Sequence, residues 1–199
     1  MITRDRPSLA GIIHAIAQAS SPSELISAVQ QLADQRSVES IPHLIKVLGY
    51  NNPSAAAIAM QGLIAFGSLA VPQLMALMDD YNYAARAYTV RALAHIGDPR
   101  TVDCLTHCAL QDFAPSVRRA AIKGLGCIVK KSGDRSLCLA ILDTLRLILK
   151  DEDWSMRYAA IASLSYFPAH ITESRQLLRS VLPREVDLVV KARLHLALQ

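Results

Sequence analysis

Between residues 54 and 167 the apolar positions fall at helical spacing, and the arrangement recurs four times. Around Leu63, Leu93, Leu125 and Leu164 lie the sets Ala55/Ile58/Ala59/Gly62/Phe66, Ala85/Tyr88/Thr89/Ala92/Ile96, Val117/Ala120/Ala121/Gly124/Ile128 and Met156/Ala159/Ala160/Ser163/Phe167. Steps of i, i+3 and i+4 give each copy one apolar face on a helix. The clearest copy, DDYNYAARAYTVRALAHIGDPR (79–100), predicts the end of one helix, a short turn, a second helix from about Tyr83 to Ile96, and a stop at Gly97-Asp98-Pro99. The four leucines recur every roughly 30 to 40 residues, the range of helical-repeat units. The residue before each leucine is small (Gly62, Ala92, Gly124, Ser163), which lets a neighbouring helix approach closely.

A second period is polar. Seven residues before three of the leucines stand Arg86, Arg118 and Arg157, and six residues before each arginine stands an acid, Asp80, Asp112 or Asp151. An acid in such a turn can accept from backbone N–H groups at the start of the second helix and meet an arginine of its own or the next repeat. This Asp/Arg ladder with an Ala-Ala-x-x-x-Leu helix resembles HEAT repeats over at least Ile41 to Phe167. The resemblance implies an all-α, right-handed α-solenoid of about five to six helical hairpins. One domain, 1–199, is expected: N-terminal helices in 1–36, clear repeats in 37–168, and a cap or docking hairpin in 169–199. The first copy departs from the ladder, with Tyr50 and Ala56 in the polar places. The last pair, about Ile171 to Leu182 and Glu185 to Leu198, is read as lacking it.

Other elements follow from local signals. Pro7 opens a helix to about Ala19, and Ser21 caps a second from Pro22 to Gln35, with Glu24 completing a capping box. Val38 to Leu48 forms the first helix of the first clear repeat, and Arg135 to Lys150 a long apolar one. Aromatic residues are only 5% of the chain and no alternating strand pattern occurs, so helices are favoured over sheets. The net charge of +4 is mild and the arginines are spaced along helices, so no nucleic-acid footprint is expected. No apolar run reaches the roughly 18 residues of a membrane span, and the start MITRDRPSLAG has no hydrophobic signal core. A cytoplasmic protein is expected.

The four cysteines, Cys104, Cys108, Cys127 and Cys138, form no C-x-x-C pair and read as small core residues. No metal and no cofactor is expected. The six histidines are scattered, and no phosphate loop, G-x-S-x-G or H-E-x-x-H is present. Aromatic residues and arginines do gather at the turns: Tyr81, Tyr83, Tyr88, Arg86 and Arg91 at one, Phe113, Arg118 and Arg119 at the next, Trp154, Arg157 and Tyr158 at the third. Successive turns of a repeat array lie along one edge, where ring faces and guanidinium forks would suit a flat anionic ligand. Ladder pairing for the arginines and packing for the tyrosines is the competing reading.

The stretches DDYNYAARAYTVRALAHIGDPR, QDFAPSVRRAA and DEDWSMRYAAIASL resemble the smaller, F-type subunits of the bilin lyases that serve the phycocyanin alpha subunit. What the resemblance implies is attachment of phycocyanobilin, through a thioether, to a cysteine of that acceptor by a heterodimer with a larger E-type HEAT-repeat subunit. The loop Gln111 to Ser116 lacks the His-Cys element of isomerising relatives, which favours plain attachment. Phycocyanobilin is then substrate. Arg86, Arg91, Arg118, Arg119 and Arg157 are the residues to clamp its propionates, Tyr81, Tyr83, Trp154 and Tyr158 to contact its rings, and Asp112 or Asp80 to supply a proton. The alternatives are a non-catalytic HEAT-repeat protein binding phycobilisomes or bilin in antenna breakdown, and a HEAT scaffold that binds only protein.

Overall fold

The computed structural model describes residues 7–78 and 82–199. Among these are twelve α-helices and no strand. The chain groups into two compact units, Met1–Ala92 and Leu93–Gln199. In chain order the helices are α1 (Leu9–Gln18), α2 (Pro22–Asp34), α3 (Ile41–Val47), α4 (Pro53–Phe66), α5 (Val71–Met75) and α6 (Tyr83–Ile96). They continue as α7 (Val102–Gln111), α8 (Pro115–Lys131), α9 (Arg135–Ile148), α10 (Trp154–Leu164), α11 (Thr172–Val181) and α12 (Leu188–Leu198).

Side-chain caps set most of the starts. Ser8 accepts from Gly11 N, Ser21 from Glu24 N, Asn52 from Ala55 N, Asn82 from Ala85 N and Asp134 from Leu137 N, each satisfying one of the N–H groups a helix start leaves open. The first helix therefore begins after Ser8, one cap later than a Pro7 start. The Glu24 carboxylate accepts from Ser20 N at 2.9 Å and from Ser20 Oγ at 3.0 Å, so the box closes one residue before the cap. Val38–Ser40 is a 3₁₀ turn leading into α3. Gly97 ends α6 at φ +62°, a left-handed backbone suited to glycine, and donates to the Leu93 carbonyl at 2.9 Å.

In the first unit α2 packs against α1 and α4, and α3 against α4 and α5. Val29, Leu32, Leu44, Leu63 and Leu74 are its buried centre. A Cβ on Gly62 would stand 3.0 Å from Ala33 Cβ and 3.2 Å from Leu44 Cδ1. In the second unit α7 pairs with α8, α9 with α10 and α11 with α12, while α8, α10 and α12 stack in succession. There a Cβ on Gly124 would meet the Ala94 Cα at 2.8 Å, and one on Gly126 the Ser163 Cβ at 2.8 Å. Ser163 Oγ donates to the Ile122 carbonyl at 2.9 Å. The small residue ahead of the leucine is thus a crossing point at Gly62, Gly124 and Ser163, as its spacing predicts. Leu63, Leu93, Leu125 and Leu164 are all buried.

The polar period also forms, with a definite direction in the second unit. Arg118 of α8 donates to Asp151 Oδ2 at 2.5 Å, and its Nε to the Ala109 carbonyl at 2.9 Å. Arg157 of α10 forks onto Glu185, with Nε and Nη2 each 2.9 Å from a carboxylate oxygen. Each cation therefore meets the acid of the following pair. Each acid also accepts from the N–H two residues on: Asp112 from Ala114, Asp151 from Asp153, Glu185 from Asp187. The expectation that the last pair lacks the ladder is corrected here. Glu185 lies in the turn before α12, not inside that helix, because Asp187 caps the helix through Val189 N and Val190 N.

Leu125→Ala should cost about 2–5 kcal/mol, the range for deleting a fully buried leucine, read as a lowered denaturation midpoint; a neutral result would reject this core register. The Arg157 fork holds the Glu185 carboxyl below the usual glutamate range. A lowered folded-state value means the rung stabilises fully above the unfolded glutamate value of about 4.3 and that this stability is lost as pH falls through the folded value. Glu185→Ala should remove about 3 kcal/mol or more at neutral pH, because Arg157 is left buried without its acid. The difference between variant and wild-type stability should shrink toward acid pH, and a pH-independent difference would contradict it.

Candidate functional site

The turns that lead into the even-numbered helices carry the predicted site, and each unit presents its own part. Asp80 and Tyr81 lie outside the described residues. In the first unit Asn82 fixes the start of α6, with Nδ2 donating to the Gly49 carbonyl at 3.2 Å. That places Tyr83 on the first turn, 42% exposed, with the Arg86 guanidinium 5.8 Å from its ring centre. One turn further on, Arg91 lies 5.5 Å from the Tyr88 ring, whose hydroxyl donates to the Pro53 carbonyl at 3.3 Å. Two stacked guanidinium–ring pairs thus follow each other along α6, each an attraction of a cation to a π face.

In the second unit the ladder separates residues of similar sequence. Arg118 and Arg157 are committed inward. Besides its fork on Glu185, Arg157 Nη1 donates to the Asp151 and Glu152 carbonyls at 2.8 and 3.0 Å, so nearly every guanidinium donor is used within the fold. Arg119 differs: its one hydrogen bond among the described residues goes from Nη1 to Ser155 Oγ at 3.2 Å. This contact lays the arginine over the first turn of α10. Trp154 and Tyr158, four residues apart on that helix and so on one side of it, are 47% and 37% exposed. Phe113, in the turn before α8, is 77% exposed.

The acids divide likewise. Asp112 Oδ1 accepts from Ala114 N at 2.8 Å and fastens the turn ahead of α8. Asp153, absent from the candidate site residues read from the sequence, caps α10 through Ser155 N at 2.8 Å. The Ser155 hydroxyl, helped by the Arg119 and Arg118 charges, holds its carboxyl below the ordinary aspartate range. Glu185 was also missed, as a glutamate where the other turns carry aspartate; its position six residues before Lys191 was the available signal. Beyond these turns, an open cleft of 730 Å³ lies between α9 and α11, with Leu149, Leu177 and Val181 on its walls and Arg146, Lys150 and Arg184 at its edges.

The cysteines lie in α7, α8 and α9, outside any disulfide. Burial pushes the Cys138 thiol up, away from the reactive thiolate. Among the described residues no three His, Cys, Asp or Glu come together as metal ligands, and no helix is long and apolar enough to cross a membrane. The arrangement offers cation–ring surfaces and hydrogen-bond donors.

The HEAT repeats family matches residues 41–126 and 108–199. The phycocyanobilin lyase subunit beta of Nostoc sp. (strain PCC 7120) is 45% identical over 94% of this chain and 96% of its own length. The phycocyanin alpha phycocyanobilin lyase CpcF of Synechocystis sp. (strain PCC 6803) is 43% identical over 91% and 86%. The chain belongs to the HEAT-repeat family of CpcF-type phycocyanobilin lyase subunits. Its fold agrees with that family: a chain in the solved complex of CpcE and CpcF of phycocyanin lyase from Nostoc superimposes with a TM-score of 0.75 at 45% identity, covering 82% of this chain and 100% of the other.

Within this family member the two neighbouring arginines of α8 should respond differently to substitution. Arg118→Gln should lower stability by about 3 kcal/mol, since Asp151 is left without its cation in a half-buried place. Arg119→Gln should stay within about 0.5 kcal/mol, as surface changes do. Thermal denaturation of the two variants side by side checks this, and equal losses would reject the division between ladder and edge.

Proposed function

We propose that this chain is the smaller subunit of a heterodimeric phycocyanobilin lyase that, with a CpcE-type subunit, attaches phycocyanobilin to a cysteine of the phycocyanin alpha subunit. The observation that carries the reading is the 43–46% identity, over at least nine-tenths of this chain, to lyase subunits of this type. A cytoplasmic location goes with it.

The site residues fit the chemistry of such a transfer. Phycocyanobilin is a flat conjugated tetrapyrrole with two propionates. Exposed rings at Trp154 and Tyr158 offer faces on which a pyrrole can stack, and Arg119 above Ser155 offers a guanidinium for a propionate. On α6, Tyr83 with Arg86 and Tyr88 with Arg91 offer the same pairing of ring and cation. Arg118 and Arg157 support this work from beneath by holding the turns. The acceptor's thiol adds across the ethylidene double bond of the pigment: sulfur bonds to the ethylidene carbon and a proton is delivered to the conjugated system. Protonation makes that carbon more electrophilic, so a carboxyl group beside the pyrroles aids the step. Asp112 and Asp80 are the proposed sources. The Asp112 bond to Ala114 N gives that residue a second, structural duty.

The test is co-expression with phycocyanobilin, the CpcE-type subunit and the phycocyanin alpha subunit. A covalently coloured, zinc-fluorescent acceptor band should form only when both lyase subunits are present. Asp112→Asn keeps the acceptor for Ala114 N while removing the acid, so the variant should fold and pair normally yet transfer bilin at least about tenfold more slowly, the low end of what general acid catalysis supplies. Wild-type transfer by that variant at saturating pigment would remove Asp112 as the proton source.

A further inference from the structure

The odd-numbered helices of the second unit are unevenly spaced. α7 packs directly on α9, but α11 leans on α10 and α12, and the 730 Å³ cleft opens between α9 and α11. Ion pairs bound it at both ends. Arg135 at the start of α9 meets Glu173 at the start of α11 at 2.7 Å, and Arg157 meets Glu185 in the turn after α11. Between them Leu149, Leu177 and Val181 give the cleft an aliphatic lining, and Val186 stands at its mouth, 82% exposed.

Charge around this lining is one-sided. Its three acids are all committed to arginines of the fold: Asp151 to Arg118, Glu173 to Arg135 and Glu185 to Arg157. The cations Arg146, Lys150 and Arg184 are not so committed. Arg146 comes only within 3.9 Å of Asp143, and among the described residues Lys150 and Arg184 meet no carboxylate. Helix C-termini favour cations, which accounts for their place at the ends of α9 and α11 but supplies no counter-ion.

An occupant must therefore bring carboxylates to the turn end of the cleft and aliphatic side chains to its lining. No aromatic ring lines the cleft among the described residues, so it lacks the stacking faces that Trp154 and Tyr158 present elsewhere on the unit. That suits a polypeptide better than a conjugated pigment: an acidic amphipathic helix laid in a groove between two helices. The position of the cleft narrows the partner. Lys150 and Trp154 stand at the two ends of one turn, four residues and so at most about 14 Å apart. A protein held at the cations lies a short span from the exposed ring, and the protein that must come so close to the pigment is the one whose cysteine receives it.

We propose that the cleft between α9 and α11 docks an acidic amphipathic helix of the acceptor, the phycocyanin alpha subunit, with Arg146, Lys150 and Arg184 as specificity residues that hold the acceptor away from the reacting atoms. The proposal rests on the reading of the chain as a lyase subunit and adds to it the surface that selects the acceptor.

Steady-state transfer by the intact heterodimer with a CpcE-type subunit, at saturating phycocyanobilin and varied alpha-subunit apoprotein, tests it. Lys150→Glu with Arg184→Glu should raise KM for the acceptor about tenfold or more at low salt, through like-charge opposition, and leave kcat within about twofold. Lys150→Gln with Arg184→Gln removes charge without reversing it and should raise KM about threefold. Added salt should raise the wild-type KM and narrow its gap from the glutamine variant, since exposed charges are screened. Both side chains are exposed, so the variants should melt close to wild type. Unchanged acceptor KM in the folded glutamate variant overturns the docking site. A loss of pigment binding, read by absorbance on the heterodimer without acceptor, or of affinity for the CpcE-type subunit assigns the cleft to that ligand and overturns it too. Wild-type transfer in the same assay leaves the lyase reading standing in each of these cases; a wild-type pair that colours no acceptor sinks both.

Discussion

The rung formed by an arginine of one helical pair and the carboxylate of the next turn is the constraint on which the second unit depends. It answers two demands at once. The turn must satisfy N–H groups at the start of the following helix, and the acid does this at Asp112, Asp151 and Glu185. The guanidinium must find carboxylate and carbonyl acceptors, and Arg118 and Arg157 find both. A buried cation or acid left alone is costly, so each member holds the other in place and the turn between them has little freedom.

That rigidity decides where the functional side chains emerge. On a helix, adjacent residues point about 100° apart, so the neighbour of a ladder residue is turned out of the stack. Arg119 follows Arg118 and reaches Ser155; Trp154 follows the cap Asp153, and Tyr158 follows Arg157. The surface proposed for the pigment is therefore made of residues one step beside those that hold the repeat. A lyase subunit that lends binding surface to a partner and an acceptor needs such a frame, because ring stacking and a guanidinium clamp work only if the groups are already oriented.

Much of this was legible in the chain. The four leucines, the small residue ahead of each, the cap at Ser21 and the stop at Gly97 are local signals, and local geometry obeys them. The Asp/Arg period was visible as well, and so were the stretches that resemble bilin lyase subunits. What could not be read was which acid each arginine meets. Asp151 lies 33 residues from Arg118 and Glu185 28 from Arg157, and an unequal spacing of this kind is set by how the pairs stack, not by any local rule.

Glu185 shows the difference plainly. By composition alone it extends the helix ahead of it in the register of Leu188 to Leu198; in the fold it faces Arg157 from the turn and is almost fully buried. The sequence by itself determined the helices, their apolar faces and the family, because those depend on short-range periodicity and on residue identity. Only the tertiary structure decided that Arg118 and Arg157 serve the frame while Arg119 lies at the edge, because side chains of one type are told apart by the partners that packing brings to them.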